Sequence, residues 1–497
     1  MTRWNLAITS LLVIGLVIRV RYLWTHHLWN DEISTMRVAK MSWSDMFDFL
    51  RTIEPHPPAS FLFIKGTNLL FLNQLPVDQL KYVVLTWTVM IGLVAFWAVK
   101  RMSWIALPVL AGFALVATNP LFAYLGAEVR PYSLLIALVF ALLWYSVLWI
   151  STTHSGVTPG RRGQAAMVAL LVLPVWTQYA GVVLVISVVI AIEVIGVVRR
   201  RTLDLVLMRV SLVALLLVAP LGIFLTRQLS ITVSTARTPV PELMGYLGWS
   251  FGGLGALLAI AAIVVWLGEF RGAVRPIEVA TDGSDHRSEL VTIGWFALLV
   301  VGLFFVGVTI AKVLTGIQLV NMGVAIVPAL FAVVGFASLL AAVREAAVTW
   351  IVVLSVVVMT PIAIIVTDTP SVLRPNRISN VDVLFEVSGA VGINAGAGDG
   401  TLLISLDGPR SNAYFAAHAQ ARFPAARIEP VFVLDFDTVL NKTLESGIQD
   451  PTIDRIVLVT RYGFDYRVRP YIPDGLRVVQ VSDYAWLMEK IEPAEIE

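Results

Sequence analysis

Apolar runs of roughly 18–25 residues recur along most of this 497-residue chain, and that is the length an α-helix needs to cross a bilayer. Eleven runs are readable, near 5–23, 80–99, 104–123, 131–150, 165–179, 181–198, 206–225, 250–267, 290–311, 319–343 and 347–366. Backbone polar groups in lipid must be satisfied within the segment, which favours helices. The expected fold is therefore a polytopic α-helical membrane protein. Composition agrees: 14% of residues are charged, against about 25% in soluble domains. There are no cysteines, which excludes disulfides and thiolate metal sites. The net charge of +2 gives no support for a nucleic-acid partner. No small-residue cleavage site follows the first run, so it is expected to be a retained helix rather than a signal peptide.

The basic residues suggest an orientation. Lys100-Arg101, Arg161-Arg162, Arg199-Arg200-Arg201, Arg271, Arg275, Arg287 and Arg344 fall in alternate loops, and Arg3 precedes the first run. By the positive-inside rule these face the cytoplasm. The other loops, 24–79, 124–130, 226–249 and 312–318, then face outward with the C-terminal tail. Every basic cluster falls on one side only if Thr177-Gln178-Tyr179 separates the fifth and sixth runs.

Segment 24–79 is too polar for a simple span. Trp43, Met46, Phe47, Phe49 and Leu50 have helical spacing, with Asp45, Asp48 and Arg51 between them, as in an interfacial amphipathic helix. Pro55, Pro57 and Pro58 end it, and 59–72 forms a second apolar helix. Beyond 367 the composition changes. β-rich runs at 401–406, 430–434, 455–460 and 476–481 alternate with helical stretches at 411–422 and 484–491. That alternation predicts a small parallel or mixed α/β domain. The expected organisation is a transmembrane domain at 1–367, with 24–79 as its first extracytoplasmic loop, and an extracytoplasmic α/β domain at 368–497.

Four polar groups fall on the outer side in this topology. They are Asp31-Glu32, Glu54-Pro55-His56-Pro57-Pro58, Glu128-Val129-Arg130-Pro131-Tyr132, and Gln178-Tyr179. Carboxylates beside a membrane helix are costly, and their convergence at one face makes an active site a reasonable expectation. Each residue also has a plainer explanation. Asp31 and Glu32 fit a helix N-cap or a solvated loop, and Arg130 fits snorkelling or pairing with Glu128. Interfacial tyrosines are common without function.

These motifs together resemble the GT-C superfamily of membrane glycosyltransferases, nearest the protein O-mannosyltransferase and aminoarabinose-transferase branch. The resemblance rests on the Arg19–Glu32 stretch with its Asp-Glu pair, on His56-Pro57-Pro58 with the helix after it, and on Glu128-x-Arg130-Pro131-Tyr132. It implies an inverting transfer of one sugar, mannose or arabinose foremost, from a polyprenyl-phosphate donor to an acceptor hydroxyl outside the cytoplasm. It implies Asp31 as general base, with Glu32 orienting the acceptor or raising the Asp31 pKa. Arg130 is the first choice for the leaving phosphate, followed by Lys65 and Lys312. His56, Glu54, Glu128, Tyr132, Gln178 and Tyr179 would line the substrate pocket.

No cofactor or metal is expected to be required, although some members of the superfamily use a divalent cation and His26 and His27 lie near the acidic pair. The expected partners are the lipid-linked sugar, a glycan, lipid or protein acceptor, and membrane lipids. The expected location is a bacterial inner membrane with the N-terminus cytoplasmic. One departure stands out: relatives often carry an arginine early in a late helix, where this chain reads Gln318-Leu319-Val320-Asn321-Met322 before Pro328. Lys312, Arg227 or Arg237 would have to supply that charge, or the donor is held differently. Two other classes remain open, a lipid-substrate transporter or flippase and a non-catalytic membrane scaffold. A transporter tends to show repeats and midplane polar groups, neither of which is evident here.

Overall fold

The computed structural model describes residues 3–26, 28, 30–52, 56–70, 77–222, 258, 260–261, 284–315, 322–368, 384, 401–407, 415–416, 419–432, 440–460, 476–482 and 485–490. The chain divides into two compact units. One comprises residues 1–24 and 38–368, the other residues 25–37 and 369–497. The short segment holding Asp31 and Glu32 thus partitions with the C-terminal part of the chain.

In chain order the helices are α1 (Arg3–Thr25), α2 (Asn30–Lys40), α3 (Trp43–Thr52), α4 (Ala59–Leu70), α5 (Val77–Leu80), α6 (Val84–Arg101), α7 (Ala106–Thr118), α8 (Pro120–Ala127), α9 (Pro131–His154), α10 (Arg161–Thr177), α11 (Gly181–Arg200) and α12 (Leu205–Val218). They continue with α13 (Ser284–Thr315), α14 (Met322–Ala341) and α15 (Glu345–Asp368). Seven described helices are long and apolar enough to cross a membrane, eight if one bent pair counts as a single span. The chain is a multi-pass membrane protein. The eleven sequence runs include two that form shorter helices, α10 and α12, of 17 and 14 residues. The run at 250–267 lies mostly outside the described residues.

The run at 104–123 is not one straight span, and helix continues past it to Ala127. Helix Ser103–Thr118 and α8 meet at an angle of 66°, which leaves only 128–130 between α8 and α9. The cause is Asn119-Pro120. The Asn119 side-chain oxygen accepts from the Leu121 and Phe122 amides at 3.0 and 3.4 Å, capping α8. Proline takes the first helical position, where no N–H is needed. The same proline removes the N–H that Val116 O would have accepted from in a continuous helix.

α9 and α14 are buried almost all round, while α1, α11 and α15 leave apolar faces outward. Small residues let the helices approach: a Cβ on Gly294 would meet Leu339 at 2.5 Å, and one on Gly335 would meet Leu298 at 3.0 Å. These contacts set α13 and α14 antiparallel. Arg199 donates to Ser288 O at 2.9 Å, and Trp104 stacks on His286 at 5.6 Å. Tyr145 donates to Gly163 O at 2.8 Å. These contacts gather Lys100-Arg101, Arg161-Arg162, Arg199 to Arg201, Arg287 and Arg344 at one end of the helical unit. The opposite end holds the start of α9, the α10–α11 turn and the end of α13.

The amphipathic α3 forms as its spacing predicts. Ser42 accepts from the Asp45 amide at 3.1 Å and donates to its carboxylate at 2.7 Å, starting the helix as a capping residue should. Met46, Phe49 and Leu50 pack with Val38 and Phe61 into a small buried cluster that joins α3 to α4.

In the second unit, β1 (Thr401–Asp407), β2 (Arg427–Phe432), α16 (Asn441–Gln449), β3 (Arg455–Thr460), β4 (Leu476–Ser482) and β5 (Ala485–Lys490) build a five-stranded mixed sheet, order β2-β1-β3-β5-β4. β1 lies parallel to both β2 and β3, pairing Ile404 with Glu429 and Leu403 with Val457. β5 is antiparallel to β3 and β4, with Met488 opposite both Ile456 and Val478. The helix expected at 484–491 is thus corrected to a strand over 485–490. Its residues are good helix formers, but Ala485, Trp486 and Met488 are buried in the pairing with β3, and packing overrides propensity. Leu402, Ile404, Leu444, Ile456, Leu458 and Met488 share the core.

Candidate functional site

The polar residues of the first unit gather around the start of α9. Glu128 ends α8 and Arg130 sits in extended backbone just before Pro131, with its amide donating to Glu128 O at 2.8 Å. Proline at the first helical position suits the fixed φ of a helix start. It also keeps the preceding residue out of helical geometry, and this turns Arg130 out of the helical run. Glu128 is fully buried and Arg130 is 7% exposed.

The Arg130 guanidinium reaches His56, Nη2 to Nδ1 at 3.4 Å. With the guanidinium donating, Nδ1 carries the lone pair and the ring proton sits on Nε2. His56 is buried, as are Pro57 and Pro58 after it. The Tyr132 ring stands edge-on to the imidazole, centroids 6.2 Å apart. His56, Arg130 and Tyr132, distant in sequence, therefore form one cluster, with Glu128 beside it in the chain. A buried arginine at a helix N-terminus is an arrangement suited to anions. Guanidinium binds phosphate oxygens bidentately, and the helix start adds positive potential.

Lys65 is placed differently. It is 4% exposed in α4, and its ammonium donates to the carbonyls of Ala39 and Met41 and lies over the Trp43 ring at 4.9 Å. It holds the C-terminal end of α2, as cations at helix C-termini do. Lys312 is exposed in the last turn of α13, at the same end of the unit as Arg130. Gln178 ends α10, buried, its amide donating to Pro174 O at 2.9 Å. Tyr179 follows in the turn, and burial pushes its phenol pKa above the ordinary value.

Asp31 and Glu32 fall in the first turn of α2, a position where carboxylates suit the helix dipole. Glu32 is 1% exposed. The side chains of Asp31 and His27 lie outside the described residues, as do Glu54, 318–321, Arg227 and Arg237. Among the described residues no group of three or more His, Asp or Glu side chains could hold a metal ion.

One residue with a part in this region was passed over as a candidate. Arg19 lies in the C-terminal third of α1, 1% exposed, and its only sequence signal is a charge inside an apolar run, two residues before Arg21.

No protein-family model and no curated protein sequence matches the chain. It is similar to the solved structure of ArnT from Cupriavidus metallidurans bound to undecaprenyl phosphate, at 13% identity and a TM-score of 0.48, covering 98% of both chains. It is also similar to the Archaeoglobus fulgidus oligosaccharyltransferase in complex with Zn and sulfate, at 13% identity and a TM-score of 0.44, covering 90% of this chain and 68% of that one. For the archaeal oligosaccharyltransferase AglB from the same organism, in complex with an inhibitory peptide and a dolichol-phosphate, the values are 12% and 0.40, covering 92% of this chain and 69% of that one.

Proposed function

We propose that this chain is an inverting GT-C-type glycosyltransferase. It moves one sugar, mannose or arabinose foremost, from a polyprenyl-phosphate donor to an acceptor hydroxyl on a glycan, lipid or protein. The observation that carries the proposal is the buried Arg130 guanidinium at the start of α9, beside His56. It sits at the end of the helical unit opposite the basic clusters. By the positive-inside rule that end is extracytoplasmic, and a bacterial inner membrane is the setting that fits.

In this reading the acceptor oxygen attacks the anomeric carbon while Asp31 takes its proton as general base. The bond from that carbon to the phosphate oxygen breaks, and the electron pair leaves with polyprenyl phosphate. The phosphate passes from one negative charge to two, and Arg130 stabilises the charge that develops. His56, through Nδ1, holds the guanidinium in place, and Glu32 orients the acceptor. The transfer requires no metal.

The test is release or transfer of radiolabelled sugar from polyprenyl-phosphomannose and polyprenyl-phosphoarabinose by the purified full chain, wild type beside Asp31→Asn, with and without chelator. Turnover that survives chelation, and is lost in Asp31→Asn without loss of donor binding, supports the proposal. Unchanged turnover in the variant removes Asp31 from the mechanism. Donor binding without turnover in wild type favours a transporter or scaffold.

A further inference from the structure

We propose that Arg19 is the positioning residue that sets the α8 helix, and with it the turn carrying Glu128 and Arg130. This rests on the phosphate-binding reading of Arg130.

The guanidinium of Arg19 lies against the α7–α8 break. Nη2 donates to Val116 O at 2.8 Å and to Phe122 O at 3.2 Å, while Nη1 donates to Gly15 O in its own helix at 3.1 Å. Val116 O is the carbonyl whose helical partner Pro120 cannot supply. One side chain from α1 thus replaces the missing N–H and bridges α7 to α8 across the bend.

The surroundings are shaped for it. A Cβ on Gly126 would fall 2.6 Å from Nη2 and 2.7 Å from Nε, and one on Gly15 would fall 3.2 Å from Nη1. Glycine at both places leaves room for the planar group. Neighbouring contacts tie α1 to α8: Tyr22 meets Tyr124 edge-on at 5.8 Å, and Ile18 packs on Ala123. α8 is only eight residues long and ends at Ala127. Its angle to α7 therefore fixes where Glu128 and Arg130 begin.

A buried cation in an apolar helix is costly unless its position does something. Here the hydrogen bonds to Gly15 O, Val116 O and Phe122 O all go to backbone carbonyls, and two of them span the break. A role in packing alone would be met by a long apolar side chain. Only a multivalent donor satisfies Val116 O and Phe122 O together.

The experiment uses the full chain in nanodiscs, with undecaprenyl phosphate as the probe. Wild type, Arg19→Met, Gly126→Ala and the double variant are compared by amide exchange across 119–130, thermal midpoint and lipid affinity. Each single variant is expected to speed exchange in 119–130 by about tenfold while the middle of α9 exchanges as in wild type. Each is also expected to weaken undecaprenyl phosphate binding by about five- to tenfold. The double variant is expected to be no worse than Arg19→Met, because the added methyl enters the space the guanidinium has left.

Wild-type exchange across 119–130 in Arg19→Met overturns the inference, and so does full additivity in the double variant. If Arg19→Met does not fold, Gly126→Ala and Arg19→Lys decide it by the same measurements, and wild-type values in both overturn it. Failure of wild type to bind undecaprenyl phosphate refutes the lipid-phosphate reading, and the exchange measurement still judges the positioning role.

Discussion

Replacing Arg130 by glutamine tests the centre of the proposal, and its size can be worked from the geometry. The guanidinium is 7% exposed, and one of its contacts is His56 Nδ1 at 3.4 Å. A hydrogen bond to a charged group contributes about 1.5–3 kcal/mol. The two bonds of a bidentate pair do not simply add, so the loss is about 2–3 kcal/mol, or roughly 30- to 150-fold in affinity. The N-terminus of α9 stays in place and its attraction, about 0.3–1 kcal/mol, is retained. Glutamine is therefore expected to weaken binding without abolishing it. Lysine keeps the charge but not the fork, and is expected to fall between. The assay is titration of undecaprenyl phosphate into nanodisc-held protein, with thermal unfolding of the same samples. A glutamine variant that binds within twofold of wild type refutes the reasoning. A variant that loses binding only together with its thermal midpoint shows Arg130 to be structural.

Lys65→Met separates structure from chemistry in the opposite direction. The ammonium closes the end of α2 on the Ala39 and Met41 carbonyls, so its loss is expected to destabilise the fold by about 1–2 kcal/mol with undecaprenyl phosphate affinity unchanged; thermal unfolding and the same titration read both. Gly181→Ala is expected to lower stability by about 1–3 kcal/mol, since its Cβ would fall 2.5 Å from the Pro174 carbonyl oxygen and 2.8 Å from the Val175 nitrogen, backbone atoms that cannot rotate aside. The signature is a lower thermal midpoint with faster amide exchange at 178–182.

The parts of this molecule legible in the sequence are those where one force dominates. A bilayer demands about 20 apolar residues per span, and α1, α6, α9, α11 and α13 to α15 announce themselves accordingly. The Thr177-Gln178-Tyr179 break was readable because it alone puts every basic cluster on one side. β5 was not readable, because Ala485-Trp486-Leu487-Met488-Glu489-Lys490 carries no local instruction to be a strand. That instruction comes from Ile456 and Leu458 of β3, which pair with Met488 and Trp486. The break in the third span is a middle case. Asn119-Pro120 is a helix-start signal, but it lies inside an unbroken apolar run, and hydropathy hides it. What hydropathy hides there bears on function. A straight span would have needed no donor for Val116 O, and Arg19 would have been a buried charge without a reason. A bent span needs that donor, and the bend brings α8 to its end at Glu128 instead of continuing straight along the line of α7. Arg19 in the first apolar run and the Asn-Pro pair a hundred residues later are thus two halves of one device. Neither is interpretable without the other, and that is why the sequence shows both residues and conceals what they do.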